Sequence, residues 1–207
     1  MSAVTRLPEP RFDTPPASPQ AWLHDWLAQA LEAGQIEPTA MNLATVDAQG
    51  RPSNRTVLFK GFYDTQLTFY THYTGRKGEE LGGNSAAALC FWWDRLDRQI
   101  RLEGEARPLP EAVSDAYFAS RGRGSRLGAW ASEQSRPIES RTQMEDKLAA
   151  VEERFAEQEV PRPPHWGGFG LAPRLIEFWQ GRDNRFHDRI VYTRTPAGDW
   201  TLSRLQP

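Results

Sequence analysis

The chain has 207 residues, a formal net charge of -2, and 25% charged against 39% hydrophobic residues, an ordinary mix for one large or two small globular domains. The near-neutral balance excludes a global electrostatic drive towards nucleic acid or an anionic membrane, and no apolar run reaches the length of a bilayer span. A single cysteine, Cys90, excludes an internal disulfide and a Cys-x-x-Cys zinc site; with no leader pattern at the start, the expectation is a reduced, cytoplasmic protein.

Residues 1–17 are rich in proline and poor in periodicity, which predicts a mobile N-terminal arm. Ser18-Pro19 then supplies an N-cap and a proline at the first helical position. Trp22, Leu23, Trp26, Leu27, Ala30 and Leu31 recur at helical spacing until Gly34, and His24 falls off that stripe. A β-rich section follows. Strands are expected over 41–46, 55–62, 67–72, 86–93 and 99–106, with a hairpin turn at Asp47–Gly50 and a short helix beginning near Thr74–Leu81. Cys90 falls within the apolar strand 86–93, which predicts a buried, inert thiol. Short strands joined by tight turns predict a closed or nearly closed antiparallel barrel. A helix over 110–120, a Gly- and Arg-rich loop over 121–126 and a longer helix within 138–158 come next, the last with Met144, Leu148, Val151 and Phe155 on one stripe. Strands over 166–171, 175–179, 185–192 and 200–203 complete the chain. The expected architecture is a single α+β domain over residues 18–207, with helices around the barrel.

Candidate binding residues gather in four stretches. In 179–189, WQGRDNRFHDR, a strand starting near Arg185 would put Arg185, His187 and Arg189 on one face, about 7 Å from one to the next. Such a ladder suits a flat anionic ligand or, equally, the charged solvent face of an edge strand. Arg55 and Lys60 flank an apolar strand and point to opposite faces unless a bulge intervenes. Tyr70-Thr71-His72 leads into Gly75-Arg76-Lys77 at a helix start, where free backbone N–H groups, hydroxyls and two cations describe a phosphate site, although a Walker A motif is absent. Tyr117, Arg121 and Ser125, spaced by four, could converge on a second anion. Gln99, Gln134 and Ser135 add neutral donors and acceptors. The histidines at 24, 72, 165 and 187 lack paired spacing, so no metal site is expected.

At these residues the chain resembles the pyridoxine/pyridoxamine 5′-phosphate oxidase family. The resemblance is carried, nearly continuously from Trp22 to Pro207, by RTVLFKGF, FYTHYTGRKGEEL, LDRQIRLEGEA, YFASRGRGSRLGAWASEQS, WGGFGL, IEFWQGRDNRFHDR and RLQP. It implies a mostly antiparallel split β-barrel, working as a homodimer with FMN between the subunits. By that resemblance Arg55, Lys60, Tyr70, Thr71, Arg76, Lys77, Gln99, Gln134, Ser135, Trp179 and Arg189 bind FMN. Lys60, Tyr117, Arg121 and Ser125 hold the substrate phosphate, and Arg185 and His187 face the pyridine ring as the catalytic pair. The implied reaction oxidises pyridoxine or pyridoxamine 5′-phosphate to pyridoxal 5′-phosphate, with hydride transfer to the flavin and O2 reduced to H2O2. Two departures stand out. The Pro-rich N-terminal segment lacks the family's basic cluster, and Gly122 follows Arg121 where the family usually has proline, which should loosen that loop. Two alternatives are a flavin oxidase of the same fold acting on another aromatic substrate, such as a phenazine precursor, and a non-catalytic FMN- or pyridoxal-phosphate-binding protein.

Overall fold

The computed structural model describes residues 11–207. Helix α1 (Pro19–Glu32) starts where expected: the Ser18 hydroxyl accepts the Ala21 N–H at 3.3 Å. Trp22, Leu23, Trp26 and Ala30 are buried, whereas Leu31, expected on the same stripe, is 66% exposed. Of the segment expected as a mobile arm, residues 1–10 lie outside the described residues. The remainder packs on the body. Phe12 is buried with its ring edge-on to Trp22 at 5.3 Å, and Arg204 and Tyr192 donate hydrogen bonds to the carbonyls of Phe12 and Pro16.

Strands β1 (Ala40–Val46) and β2 (Pro52–Leu58) form an antiparallel pair in register from Ala40–Leu58 to Val46–Pro52. The second strand was expected to run from 55 to 62. It starts earlier because Pro52 is tolerated on this edge strand, and it stops because Gly61 turns the chain with φ 101°. After that turn come β3 (Phe62–Tyr63) and β4 (Gln66–His72). Lys60 N–H bonds to Thr68 O at 2.9 Å and Thr68 N–H to Gly61 O at 3.0 Å, which brings the end of β2 against β4 and nearly closes the barrel. Helix α2 (Arg76–Gly83) leads to β5 (Ala86–Trp93) and β6 (Arg98–Pro108).

Strand β7 (Trp166–Gln180) is continuous, where two separate strands were expected. Pro173 reads as a breaker, but it sits at a register shift opposite Glu103 and Gly104, where the ladder is already interrupted. A side chain at Gly104 would collide with the Ala172 carbonyl, so glycine lets the two backbones approach. The first half of β7 pairs with β4, and its second half pairs with β8 (Asp188–Arg194), which in turn pairs with β9 (Trp200–Arg204). One long strand thus belongs to the barrel at one end and to an extension at the other. All pairings of the nine-stranded sheet are antiparallel, in the order β2-β1-β5-β6-β7-β4-β3 with β8 and β9 branching from β7.

Leu43, Phe69, Phe91, Trp93, Ile100 and Phe178 are fully buried in the barrel core, and the Trp22 ring stacks on Phe178 at 4.3 Å. Cys90 points away from that core and is half-buried, where a buried thiol was expected. A second cluster of Phe118, Leu127, Phe155, Val160 and Trp166 joins α3 (Glu111–Ser120), α4 (Arg123–Ala131) and α5 (Arg141–Phe155) to the start of β7. Helix α4 replaces much of the loop expected over 121–126. Its glycines read as loop, but Arg123 donates to the carbonyls of Ala156 and Gln158 at the end of α5 and holds the helical turn. In α5, Phe155 is buried while Met144, expected on its stripe, is 48% exposed.

The stretch 182–189 also departs from expectation. Asp183–Arg185 form a 3-10 turn, with Asn184 at φ 56° and Arg185 at φ 62°, and β8 begins only at Asp188. Two successive left-handed residues break the alternation, so Arg185 and His187 do not share a strand face with Arg189.

Candidate active site

A cleft of about 650 Å³ opens beside β4 and α2 and is lined by nine of the expected site residues: Arg55, Lys60, Tyr70, Thr71, Lys77, Tyr117, Arg121, Ser125 and Gln134. One wall is cationic and amide-rich. Lys77 donates to Gln134 Oε1 at 2.6 Å and to Thr71 Oγ1 at 3.1 Å, and Thr71 donates to the same amide oxygen at 2.9 Å. Burial lowers the Lys77 pKa, helped by the nearby Arg55 and opposed by Glu80. The wall stands at the N-terminus of α2, capped by Gly75, where backbone N–H groups without intrahelical partners favour an anion. Gly78 allows that helix start to lie against β4, since a Cβ there would strike the carbonyls of His72 and Tyr73.

A second part of the lining is aromatic. Tyr70 and Tyr117 stack with ring centroids 3.7 Å apart, and Tyr117 lies parallel to Trp166 at 6.3 Å. Burial raises the pKa of both phenols, so they remain hydrogen-bond donors at neutral pH. The Arg121 guanidinium sits over the Trp166 ring, and its Nη1 is buried without a hydrogen-bond partner among the described residues. Ser125 lies in the first turn of α4. Cations, hydroxyls and stacked rings around one cleft suit flat ligands that carry phosphate groups.

His72, at the end of β4, is buried in the cleft wall. Burial, reinforced by His165, Lys77 and Arg121, pushes its pKa down to about 4. The ring is therefore neutral at pH 7, and its Nδ1 has no partner among the described residues.

Other expected site residues lie elsewhere. Gln99, Trp179 and Arg189 are cross-strand neighbours on β6, β7 and β8. His187 rests against Trp179 at 4.6 Å, its Nδ1 accepting the Arg182 backbone N–H. Arg189 is held by Glu177 at 2.7 Å, and Arg185 is exposed on the 3-10 turn. None of these residues lines the cleft of its own chain. Arg76 lies just outside it, paired with Glu80 at 2.9 Å, and Ser135 lines an adjoining groove with φ 70°. Sequence reasoning missed Glu80, hidden in a charged helical run, and Trp166, which read only as the start of a strand. Among the described residues no cluster of His, Cys, Asp or Glu could hold a metal ion, and no helix is long and apolar enough to cross a membrane.

Fold and cleft together define a split-barrel protein with a cation-rich, aromatic-lined cleft. The chain belongs to the pyridoxamine 5′-phosphate oxidase family, a family of oxidoreductases: the family model "Pyridoxamine 5′-phosphate oxidase" matches residues 27–155, and "Pyridoxine 5′-phosphate oxidase C-terminal dimerisation region" matches residues 166–207. It is 56% identical over 182 residues to a pyridoxine/pyridoxamine 5′-phosphate oxidase of Rubrobacter xylanophilus, covering 88% of this chain and 83% of that one. It is 49% identical over 205 residues to one of Paraburkholderia phytofirmans, covering 99% and 91%. Among solved structures, PhzG of Burkholderia lata, in complex with tetrahydrophenazine-1-carboxylic acid, superposes with a TM-score of 0.91 at 34% identity over 98% of each chain.

Proposed function

We propose that this chain is an FMN-dependent, homodimeric oxidase that converts pyridoxine 5′-phosphate or pyridoxamine 5′-phosphate to pyridoxal 5′-phosphate, with dioxygen reduced to hydrogen peroxide. The observation that carries this reading is that one cleft is lined by two groups of cationic and hydroxyl side chains: Lys77, Thr71 and Gln134 by the start of α2, and Tyr117, Arg121 and Ser125 from α3 and α4. Two phosphorylated rings, one cofactor and one substrate, account for both. The donor set fits FMN: a helix N-terminus and a lysine for its phosphate, and an amide beside them for a heteroatom edge.

When bound, FMN supplies the two-electron acceptor for oxidation of the C4′ carbon and passes those electrons to dioxygen. The residues of the chain bind and orient. Arg121, Tyr117, Ser125 and Lys60 hold the substrate phosphate, which fixes the distance of the ring from the cofactor. Arg185 and His187 position the pyridine ring. The cluster of Gln99, Trp179, His187 and Arg189 lies outside the cleft of its own chain, which supports a site completed across a two-fold interface. The match of residues 166–207 to a dimerisation region supports the same arrangement.

The likeness to PhzG gives the alternative, oxidation of a phenazine precursor. The donor group of Tyr117, Arg121 and Ser125 favours the phosphorylated substrate, because a phosphate offers three free oxygens to three donors where a carboxylate offers two. Turnover in air decides the matter. FMN-loaded protein is expected to form pyridoxal 5′-phosphate and peroxide from both phosphorylated vitamers, and far more slowly from pyridoxine itself. Equal rates with and without the phosphate, or no aldehyde at all, would remove the basis of the assignment.

A further inference from the structure

Glu80 lies in α2, has a side chain only 6% exposed and does not itself line the cleft. Its carboxylate is the hub of a network that joins α2 to β1 and β2. Thr45 donates to Oε2 at 2.5 Å, and Ser53 lies within 2.9 Å of both oxygens. Arg55 Nη2 meets Oε2 at 3.0 Å, and Arg76 Nε meets Oε1 at 2.9 Å. Arg55 is further tied by Ser53 Oγ at 2.5 Å, by Thr45 and by the Leu43 carbonyl. Burial alone would raise the Glu80 pKa, but the hydrogen bonds from Thr45, Ser53, Arg76 and Arg55 prevail and hold it at about 2. It is a fixed anion at any physiological pH.

We propose that Glu80 is a positioning residue for the cofactor, locking the guanidinium of Arg55 so that its remaining N–H donor faces the phosphate of FMN, an inference that rests on the cofactor assigned above. Arg55 lines the cleft, and its Nε has no partner among the described residues. Arg76 opens α2, next to Lys77. Two guanidiniums against one carboxylate leave a surplus positive charge, which Lys77 increases, so the cluster still attracts a dianion. A long cationic side chain that is already immobilised loses less freedom when the ligand arrives. Glu80 therefore acts through Arg55 and needs no contact with the flavin.

The test separates orientation of the phosphate site from general support of the fold. Flavin-free protein, as wild type, Glu80→Gln and Ser53→Ala, is titrated with FMN and with riboflavin, following quenching of flavin fluorescence. Riboflavin has the same ring system without the phosphate. Glu80→Gln is expected to weaken FMN about tenfold or more, the size of one charge-assisted hydrogen bond, while riboflavin binding changes little, so that discrimination between the two falls. Ser53→Ala, which keeps the carboxylate but removes a hydroxyl shared with Arg55, should shift the ratio in the same direction by less. Equal weakening of both flavins, or unchanged FMN affinity, overturns the proposal. Should Glu80→Gln fail to fold, the ratio in Ser53→Ala decides alone. Wild-type protein that binds neither flavin would instead sink the cofactor assignment.

Discussion

The guanidinium carbon of Arg121 lies 4.6 Å from the ring centroid of Trp166, which holds the cation against the cleft wall while its buried Nη1 stays without a partner among the described residues. A pinned cation with a spare donor is prepared for an anion. A charged hydrogen bond contributes about 1.5–3 kcal/mol, so Arg121→Ala should raise KM for pyridoxine 5′-phosphate roughly 10- to 100-fold. Trp166→Phe weakens the cation–π contact but keeps an apolar ring, and should raise KM only a fewfold. Steady-state kinetics on both variants checks this; an unchanged KM in Arg121→Ala would remove the second phosphate site.

Gly122 offers a stabilising substitution. It caps α4 at φ -56° and ψ 145°, within the range of proline. Arg121 before it is extended, at φ -77° and ψ 146°, as a residue preceding proline must be. Apart from its chain neighbours, no atom of the described residues would lie within 4 Å of a Cβ there. Gly122→Pro should therefore stabilise the fold by about 0.4–1 kcal/mol through the unfolded state, a rise in Tm of about 1–4 °C for a chain of this size. A lower Tm in calorimetry would mean that the helix start needs the glycine.

His72 predicts a pH dependence. Its folded pKa is depressed from 6.5 to about 4, so the unfolded chain takes up a proton before the folded one does. The contribution to stability is complete above pH 6.5 and is lost as pH falls towards 4, on the order of 3 kcal/mol for the full shift. Urea unfolding between pH 7 and pH 4 should show a steeper loss in wild type than in His72→Asn. Parallel curves would show that the ring is not held neutral.

Arg185 is exposed on a turn outside its own cleft. If it positions the substrate ring across the interface, Arg185→Ala should lower turnover by about a hundredfold, as expected for a lost orienting group, and leave the protein yellow. Loss of the flavin colour would reassign it as a cofactor contact.

Much of the barrel was legible because its strands alternate and its turns carry Gly, Asp and Asn. Several residues that line the cleft were legible as composition: Tyr70, Thr71 and Lys77 around a strand end, and Tyr117, Arg121 and Ser125 at a spacing of four. What the sequence concealed came from tertiary contacts. Arg123 stabilises α4 through the carbonyl end of α5, a partner more than thirty residues away. Pro173 looks like an end to β7 until Gly104 stands opposite it. Arg185 adopts φ 62°, a conformation for which an arginine gives no local signal. Glu80 is one of two adjacent glutamates in a charged run, and only the fold brings Thr45, Ser53 and Arg55 onto it.

An anaerobic titration tests the central claim most directly. Purified FMN-loaded protein is mixed with pyridoxine 5′-phosphate or pyridoxamine 5′-phosphate while the flavin absorbance is followed. The oxidase assignment predicts bleaching by one equivalent of substrate, with pyridoxal 5′-phosphate formed and the colour restored by air. A flavin that stays oxidised with both substrates would contradict it, and would leave a split-barrel protein whose cleft serves another ring or serves binding alone.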